Sequence, residues 1–216
     1  MRAGLLLLLL GGCQLVFELE PATIEVRGFS SAAGGAPTAS ITIPRPQELV
    51  AGDAVVAMIR QTRLDPNILI APAGWSQLAE LTQPCGDGEN WRGWVVSAIA
   101  TDELSFDFAF DEEIATHTVL AIAYRNASSV TFVEQDQLDG DQLVATLPSA
   151  MATVGSQLLL AGLAGVPWTE VPMDFSRPAN FENLAFYDQR VAQAAIPALA
   201  IPVATCGRIV QLTIDP

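Results

Sequence analysis

The chain has 216 residues, with 24 Asp and Glu against 10 Lys and Arg, and every one of the ten cations is arginine, leaving a formal net charge of −14 at pH 7. A surface so acidic repels phosphate backbones and anionic headgroups, which argues against nucleic acid as a partner and against membrane docking by charge. A mean hydropathy of +0.36 with 16% charged residues excludes intrinsic disorder, because there is ample apolar surface from which to build a core.

At the N-terminus, Arg2 precedes the run Leu5 to Leu10, which is followed by Gly11-Gly12-Cys13. The apolar stretch is broken by Gly11, Gly12 and Gln14 and falls short of the ~20 residues a spanning helix needs. It resembles a bacterial lipoprotein signal: Arg2 supplies the positive region, the leucines the apolar region, and Leu10-Gly11-Gly12-Cys13 the lipobox. The resemblance implies cleavage after residue 12 and a diacylglyceryl group on the Cys13 thiol. A further acyl chain such as palmitate would sit on the new N-terminus. One acyl chain anchors a protein only marginally, whereas two or three hold it stably. Gln14 rather than Asp follows Cys13, which by the same resemblance directs the protein to the outer membrane where the cell has one. A secretory signal cut elsewhere is the competing reading. Residues 13–21 then form a tether and residues 22–216 the folded body, read as a single domain.

Within the body, Thr23 to Arg27 alternates apolar and polar residues, the period of a half-buried strand, and Ser30 to Pro37 reads as a small-residue loop. Further strands are expected at Ala39 to Ile43, Ala54 to Arg60, Asn67 to Ala71, Trp75 to Leu81, Gly93 to Ala100, Leu104 to Phe110 and Thr116 to Tyr124. The second half continues with Val130 to Glu134, Gln142 to Leu147, Gln157 to Ala164, Asn183 to Arg190, Ala198 to Val203 and Arg208 to Ile214. Turn chemistry separates them at Pro44-Arg45-Pro46, Ala51-Gly52-Asp53, Pro72-Ala73-Gly74, Gly86-Asp87-Gly88 and Asp139-Gly140-Asp141. About a dozen short strands with no helix between them predict an all-β, antiparallel β-sandwich, jelly-roll-like. Val55 to Ile59 and Leu158 to Ala161 are apolar on both faces and should be central strands, whereas Leu104, Phe106, Phe108 and Phe110 alternate with polar or small residues and should leave one face wet.

Four short motifs carry a resemblance: Ala51-Gly52-Asp53 before an apolar strand, Pro72-Ala73-Gly74-Trp75, a strand ending Ala123-Tyr124-Arg125, and Gly155-Ser156 before Leu158-Leu159-Leu160. In this order, over roughly residues 38 to 214, they are similar to a β-sandwich module of bacterial secreted and phage tail-associated proteins. Asn126 stands where those modules carry glycine. The resemblance implies the fold and an extracellular setting, and it brings no catalytic residues with it.

With Cys13 assigned to lipid, Cys85 and Cys206 remain as an even pair, which reads as one disulfide in an oxidising compartment; two separate buried thiols are the alternative. No GxSxG or HExxH motif is present, and His117, the sole histidine, lies within an expected strand. Glu134, Asp136, Asp139 and Asp141 surround Gly140, and Asp87, Glu89 and Asn90 share a glycine-rich loop with Cys85. Hard oxygen donors on turns are what calcium requires, so the first group is the candidate calcium site, with hydrated loops as the alternative. Trp91 and Trp168 lie in loop-like segments, where an exposed indole offers a flat face to a sugar ring or a partner protein; rings that close the open ends of the sandwich are the alternative. Trp91 and Trp94, three apart, should point to opposite faces of a strand.

These features predict a membrane-anchored, non-catalytic cell-envelope lipoprotein that displays a β-sandwich for recognition of a glycan or protein, or for surface assembly. The rival reading is a carbohydrate-active enzyme using two carboxylates, which would require a facing pair in a pocket.

Overall fold

Alternating and doubly apolar segments sort into seventeen strands and no helix among the described residues of the computed structural model, which are 23–63, 66–84, 90–136, 144–164, 171–172, 174–202 and 206–216. The first half supplies β1 (Glu25–Gly34), β2 (Thr38–Thr42), β3 (Ala54–Gln61), β4 (Leu69–Ile70), β5 (Trp75–Gln83), β6 (Trp91–Ile99), β7 (Asp107–Ile114) and β8 (His117–Arg125). They form a five-stranded sheet of order β1-β8-β3-β6-β5 and a three-stranded layer of order β2-β7-β4. The second half supplies β9 (Ser129–Gln135), β10 (Val144–Leu147), β11 (Ala150–Met151), β12 (Gln157–Leu163), β13 (Ser176–Phe181), β14 (Leu184–Arg190), β15 (Ala195–Ile196), β16 (Leu199–Pro202) and β17 (Arg208–Asp215). Its five-stranded sheet has the order β13-β14-β12-β17-β9, and the ladders β10-β16 and β11-β15 stand beside it.

The two halves share one topology. If the five main strands of each half are lettered a to e in chain order, both sheets read a-e-b-d-c. In each half the strand following a pairs with the strand preceding e, β2 with β7 and β10 with β16, in a lateral layer. The all-β, antiparallel β-sandwich expected from the sequence is present, and each half supplies one of its two main sheets together with a lateral layer. Their corners match in detail. Gly52 N–H donates to the Ala100 carbonyl at 2.8 Å and Ala100 N–H to the Asp53 carbonyl at 2.7 Å; Gly155 donates to Val191 at 3.1 Å and Val191 to Ser156 at 2.9 Å. Both glycines take positive φ, 93° and 97°. Likewise Trp75 N–H donates to Pro72 at 3.2 Å and Phe175 N–H to Pro172 at 3.1 Å, with positive φ at the intervening Gly74 and Asp174.

The main sheets pack face to face, with β1 over β13, β5 over β9 and β3 over β12, as an approximate two-fold relation of the halves requires. Between them Val56 and Met58 of β3, Ile122 of β8, Leu159 of β12 and Leu212 of β17 form the shared core. The alternate residues face outward into the lateral layers. Val55, Ala57 and Ile59 pack with Phe108 and Phe110, while Leu160 packs with Ala145 and Leu147. This explains why β3 and β12 are apolar on both faces: each is the middle strand of its sheet and each face is covered. Leu104, Phe106, Phe108 and Phe110 are buried while Ser105 and Asp107 remain wet, as the alternation predicts.

Each outer strand of the two main sheets carries an irregularity of register: β1 between Val26 and Gly28, β5 between Gln77 and Ala79, β13 between Ser176 and Ala179, and β9 opposite Gln211 and Leu212. The central ladders β3–β6, β3–β8, β12–β14 and β12–β17 run without a shift. A bulge twists an edge and interrupts its row of free donors and acceptors, a common protection against strand addition.

Three expectations about elements need correction. Ser30 to Gly34 is not loop but the continuation of β1, whose small side chains pair by backbone with β8 along the sheet edge. The expected strand at Leu104 begins only at Asp107, because Leu104 N–H closes a turn onto Thr101. β13 escapes the periodicity because Pro178 sits in its bulge and breaks the alternation, a placement that an edge strand tolerates.

Candidate functional site

Residues 1–22, including Cys13, and the positions Cys85, Asp139, Asp141 and Trp168 lie outside the described residues. Of the two tryptophans read as candidate ligand contacts, Trp91 can be located, and it is not one: the alternative, a ring that closes the core, holds. It opens β6, is fully buried in the shared core, and donates its indole N–H to the Cys206 carbonyl at 2.9 Å. The segment before it reads as loop, yet the antiparallel pairing of Gln83 with Trp91 draws the ring into the sheet. Trp94 points to the opposite face, into the first lateral core, as the spacing predicts. Trp75 closes that core edge-on against Phe106 and Phe108 and donates to the Ser105 carbonyl at 2.8 Å.

The described members of the candidate calcium group are otherwise engaged. Asp136 is fully buried and accepts from Arg208 Nε at 2.8 Å, while its carbonyl accepts from Arg208 Nη2 at 2.5 Å. Burial pushes the Asp136 carboxyl above its ordinary value, and the hydrogen bond and charge of Arg208 oppose that rise. Glu134 accepts from the Gln135 N–H at 3.2 Å. Among the described residues no three His, Cys, Asp or Glu side chains are grouped to hold a metal ion.

Other buried polar groups tie the framework together. Tyr124 on β8 donates its hydroxyl to Asp188 Oδ2 on β14 at 3.2 Å, joining the halves, and Asp188 also accepts from Ser176. Burial, then the Asp188 charge and hydrogen bond, push the Tyr124 hydroxyl far above its usual range. Thr118 donates to Glu182 at 3.0 Å across the same junction. Asp53 accepts from Arg27 at 3.2 Å and from the Val50 N–H at 3.0 Å, fixing the corner before β3. His117 opens β8 opposite Gly34, where any side chain would collide with the imidazole. Burial lowers its pKa, against a backbone hydrogen bond that raises it. Asn126 adopts φ 59°, and its Nδ2 donates to the Thr23 carbonyl at 2.8 Å. Asparagine tolerates the left-handed region well, so the turn keeps the geometry a glycine would give.

Cys206 is buried two residues before β17 and holds φ 56°. Its Sγ lies 4.0 Å from the carbonyl oxygen of Pro84, the residue immediately preceding Cys85.

Two concavities are lined wholly by described residues. One, between the halves, is a groove of about 310 Å³ with Ser76, Ser97, Ser128 and Ser129 in its walls. Ser128 and Ser129 are already bonded to the chain terminus, to the Pro216 carbonyl and to Asp215. The other is a notch of about 190 Å³ in the second half, at the corner where β14 leaves its sheet. Buried Leu158, Val191 and Ile196 form its floor, and Gln189, Arg190 and Gln193 stand around it. Sequence reasoning passed over these three, reading Asn183 to Arg190 as strand. The available signal was an arginine at a strand end between two glutamines in a chain poor in cations. No helix among the described residues is long and apolar enough to cross a membrane. No family model matches the chain, and neither the curated proteins nor the solved structures contain a match to it.

Proposed function

We propose that the chain is an exported lipoprotein, tethered through Cys13, whose β-sandwich acts as a recognition module. The observation that carries recognition over sheet-edge assembly is the treatment of the edges: all four outer strands of the main sheets bulge, a device that resists strand addition. A non-catalytic role is supported by the use made of the buried carboxylates. Asp53, Asp136 and Asp188 each bond to groups that hold strands or corners together. A disulfide between Cys85 and Cys206 is supported by the position of the Cys206 sulfur beside the Pro84 carbonyl, and it fits an oxidising compartment.

The test has two readouts in a bacterial host that processes lipoproteins. The full chain should incorporate labelled fatty acid and partition with membranes, and Cys13→Ala should do neither. Cell-envelope glycans and proteins should then be captured by the anchored protein without turnover of the captured material. Unchanged membrane partition of the Cys13→Ala variant removes the tether from the reading. Hydrolysis abolished by changing one carboxylate replaces recognition with catalysis.

A further inference from the structure

We propose that the notch beside β14 holds a single acidic sugar ring, with its carboxylate on Arg190 and its apolar face on Leu158, Val191 and Ile196. This deepens the recognition reading and does not depend on lipidation.

Charge is the first argument. Among the described arginines, Arg27, Arg92, Arg125 and Arg208 pair with carboxylates, Arg45 and Arg60 lie over aromatic rings, and Arg63, exposed after β3, has no such partner among the described residues but lines neither concavity. Arg177 contacts Tyr187. Arg190 is exposed, lines the notch, and makes no side-chain hydrogen bond, ion pair or ring contact among the described residues. In a chain of net charge −14, a guanidinium left without a carboxylate is available to an anion from outside, and its planar fork matches a carboxylate with two parallel hydrogen bonds.

The second argument is the surrounding chemistry. Gln189 and Gln193 also have no side-chain partner among the described residues, and each carries donors and an acceptor on the same amide. Beneath them the floor is aliphatic. A ligand that satisfies all three needs one apolar face, hydroxyls at its edge and an anionic substituent, which describes a uronic acid ring. At about 190 Å³ the notch is of the size for one ring, since a cavity of roughly 150 Å³ accommodates benzene.

The third argument comes from the other half of the molecule. The corner hydrogen bonds place Ala98, Ile99 and Ala100 where the second half has Gln189, Arg190 and Val191. There Trp75 seals the corner edge-on against Phe106 and Phe108. In the second half Phe175 stands in the place of Trp75, and the matching lateral strand offers Leu199 and Ile201. In the first copy three rings close the lateral face, and the groove beside Ala98 and Ile99 is walled by serines with no charged side chain. The other copy packs Phe175 and Leu199 against Leu158, Val191 and Ile196 and lines the notch beside them with a cation and two amides.

The experiment is titration of the full chain, in detergent, with D-glucuronate, D-glucose and acetate, followed by the backbone amide signals of residues 189–196. Glucuronate should saturate with shifts confined to that segment, and glucose and acetate should each bind at least ten-fold more weakly. Arg190→Ala should weaken glucuronate at least ten-fold, and Ala192→Trp, an exposed position on the rim, should abolish binding while the remaining spectrum stays unchanged. Equal affinity for glucose overturns the role of Arg190, equal affinity for acetate overturns the sugar, and absence of saturation overturns the site. Capture of envelope glycans that persists in Arg190→Ala sinks this proposal while leaving the recognition reading standing.

Discussion

His117 is the only histidine in the chain, so its titration is a clean reporter of one place in the fold. Its pKa is lowered chiefly by burial, meaning that the folded state binds its proton less readily than the unfolded state does. In the window between the folded value and the unfolded value near 6.5, the unfolded chain carries more protons, and stability therefore falls as pH falls. We expect the imidazole resonances to titrate below 6.5. Replacing His117 with Gln should flatten the pH dependence of the urea midpoint in that window; an imidazole midpoint above 6.5 would contradict the burial. The Tyr124–Asp188 bond makes a second prediction at this scale. Tyr124→Phe removes the donor and leaves a buried carboxylate with Ser176 as its remaining partner. The cost should be about 1–3 kcal/mol by denaturant titration, because stranding a buried polar group is worse than losing one bond. A change under 0.5 kcal/mol would show that water or Ser176 compensates. Side-chain direction was legible here and burial was not. Spacing alone put Trp91 and Trp94 on opposite faces, but whether the face of Trp91 was wet depended on a second sheet that only the topology supplies.

At the scale of elements, the two central strands were readable because a strand apolar on both faces has few alternatives to the middle of a covered sheet. The edge strands were harder to read. β13 pairs through a Pro-containing bulge, and the distal part of β1 contributes small side chains, so neither writes its position into hydrophobic period. The corners that precede β3 and β12 give the test of equivalence between the halves. Gly52 and Gly155 have φ of 93° and 97°, and a Cβ at either would meet nothing within 4 Å. Substitution by alanine at each should therefore cost backbone strain alone, about 1–2 kcal/mol. The corners lie in different halves with no shared partner, so the double variant should cost the sum of the two. A large loss at one site and none at the other would break the equivalence of the halves.

For the whole molecule, the duplication of topology was written in the sequence as Ala51-Gly52-Asp53 against Val154-Gly155-Ser156 and as Pro72-Ala73-Gly74-Trp75 against Pro172-Met173-Asp174-Phe175. These matches lie on backbone-constrained corners, where few residue types serve. The strands between them share no such pattern, because many apolar side chains fill the same shared core. That freedom hides the repeat from a reading based on period. The proposed disulfide would act at this scale, because it joins the exit of β5 in the first half to the entry of β17 in the second. Closing so long a loop restricts the unfolded chain by about 4–5 kcal/mol in the entropic model, less any strain in the native state. Cys85→Ser should thus lower the urea midpoint and also raise the dependence of stability on urea, since the unfolded chain is released to expose more surface. The fold itself should persist, because the Trp91 indole bonds to the Cys206 carbonyl and not to its sulfur. Loosening should begin at Cys206, whose left-handed φ of 56° would lose its covalent restraint, so amide exchange should quicken first at the start of β17. Full alkylation of both cysteines in the folded, exported protein would exclude the bond; the position of the Cys206 sulfur beside Pro84 would then be ordinary packing at the end of the core.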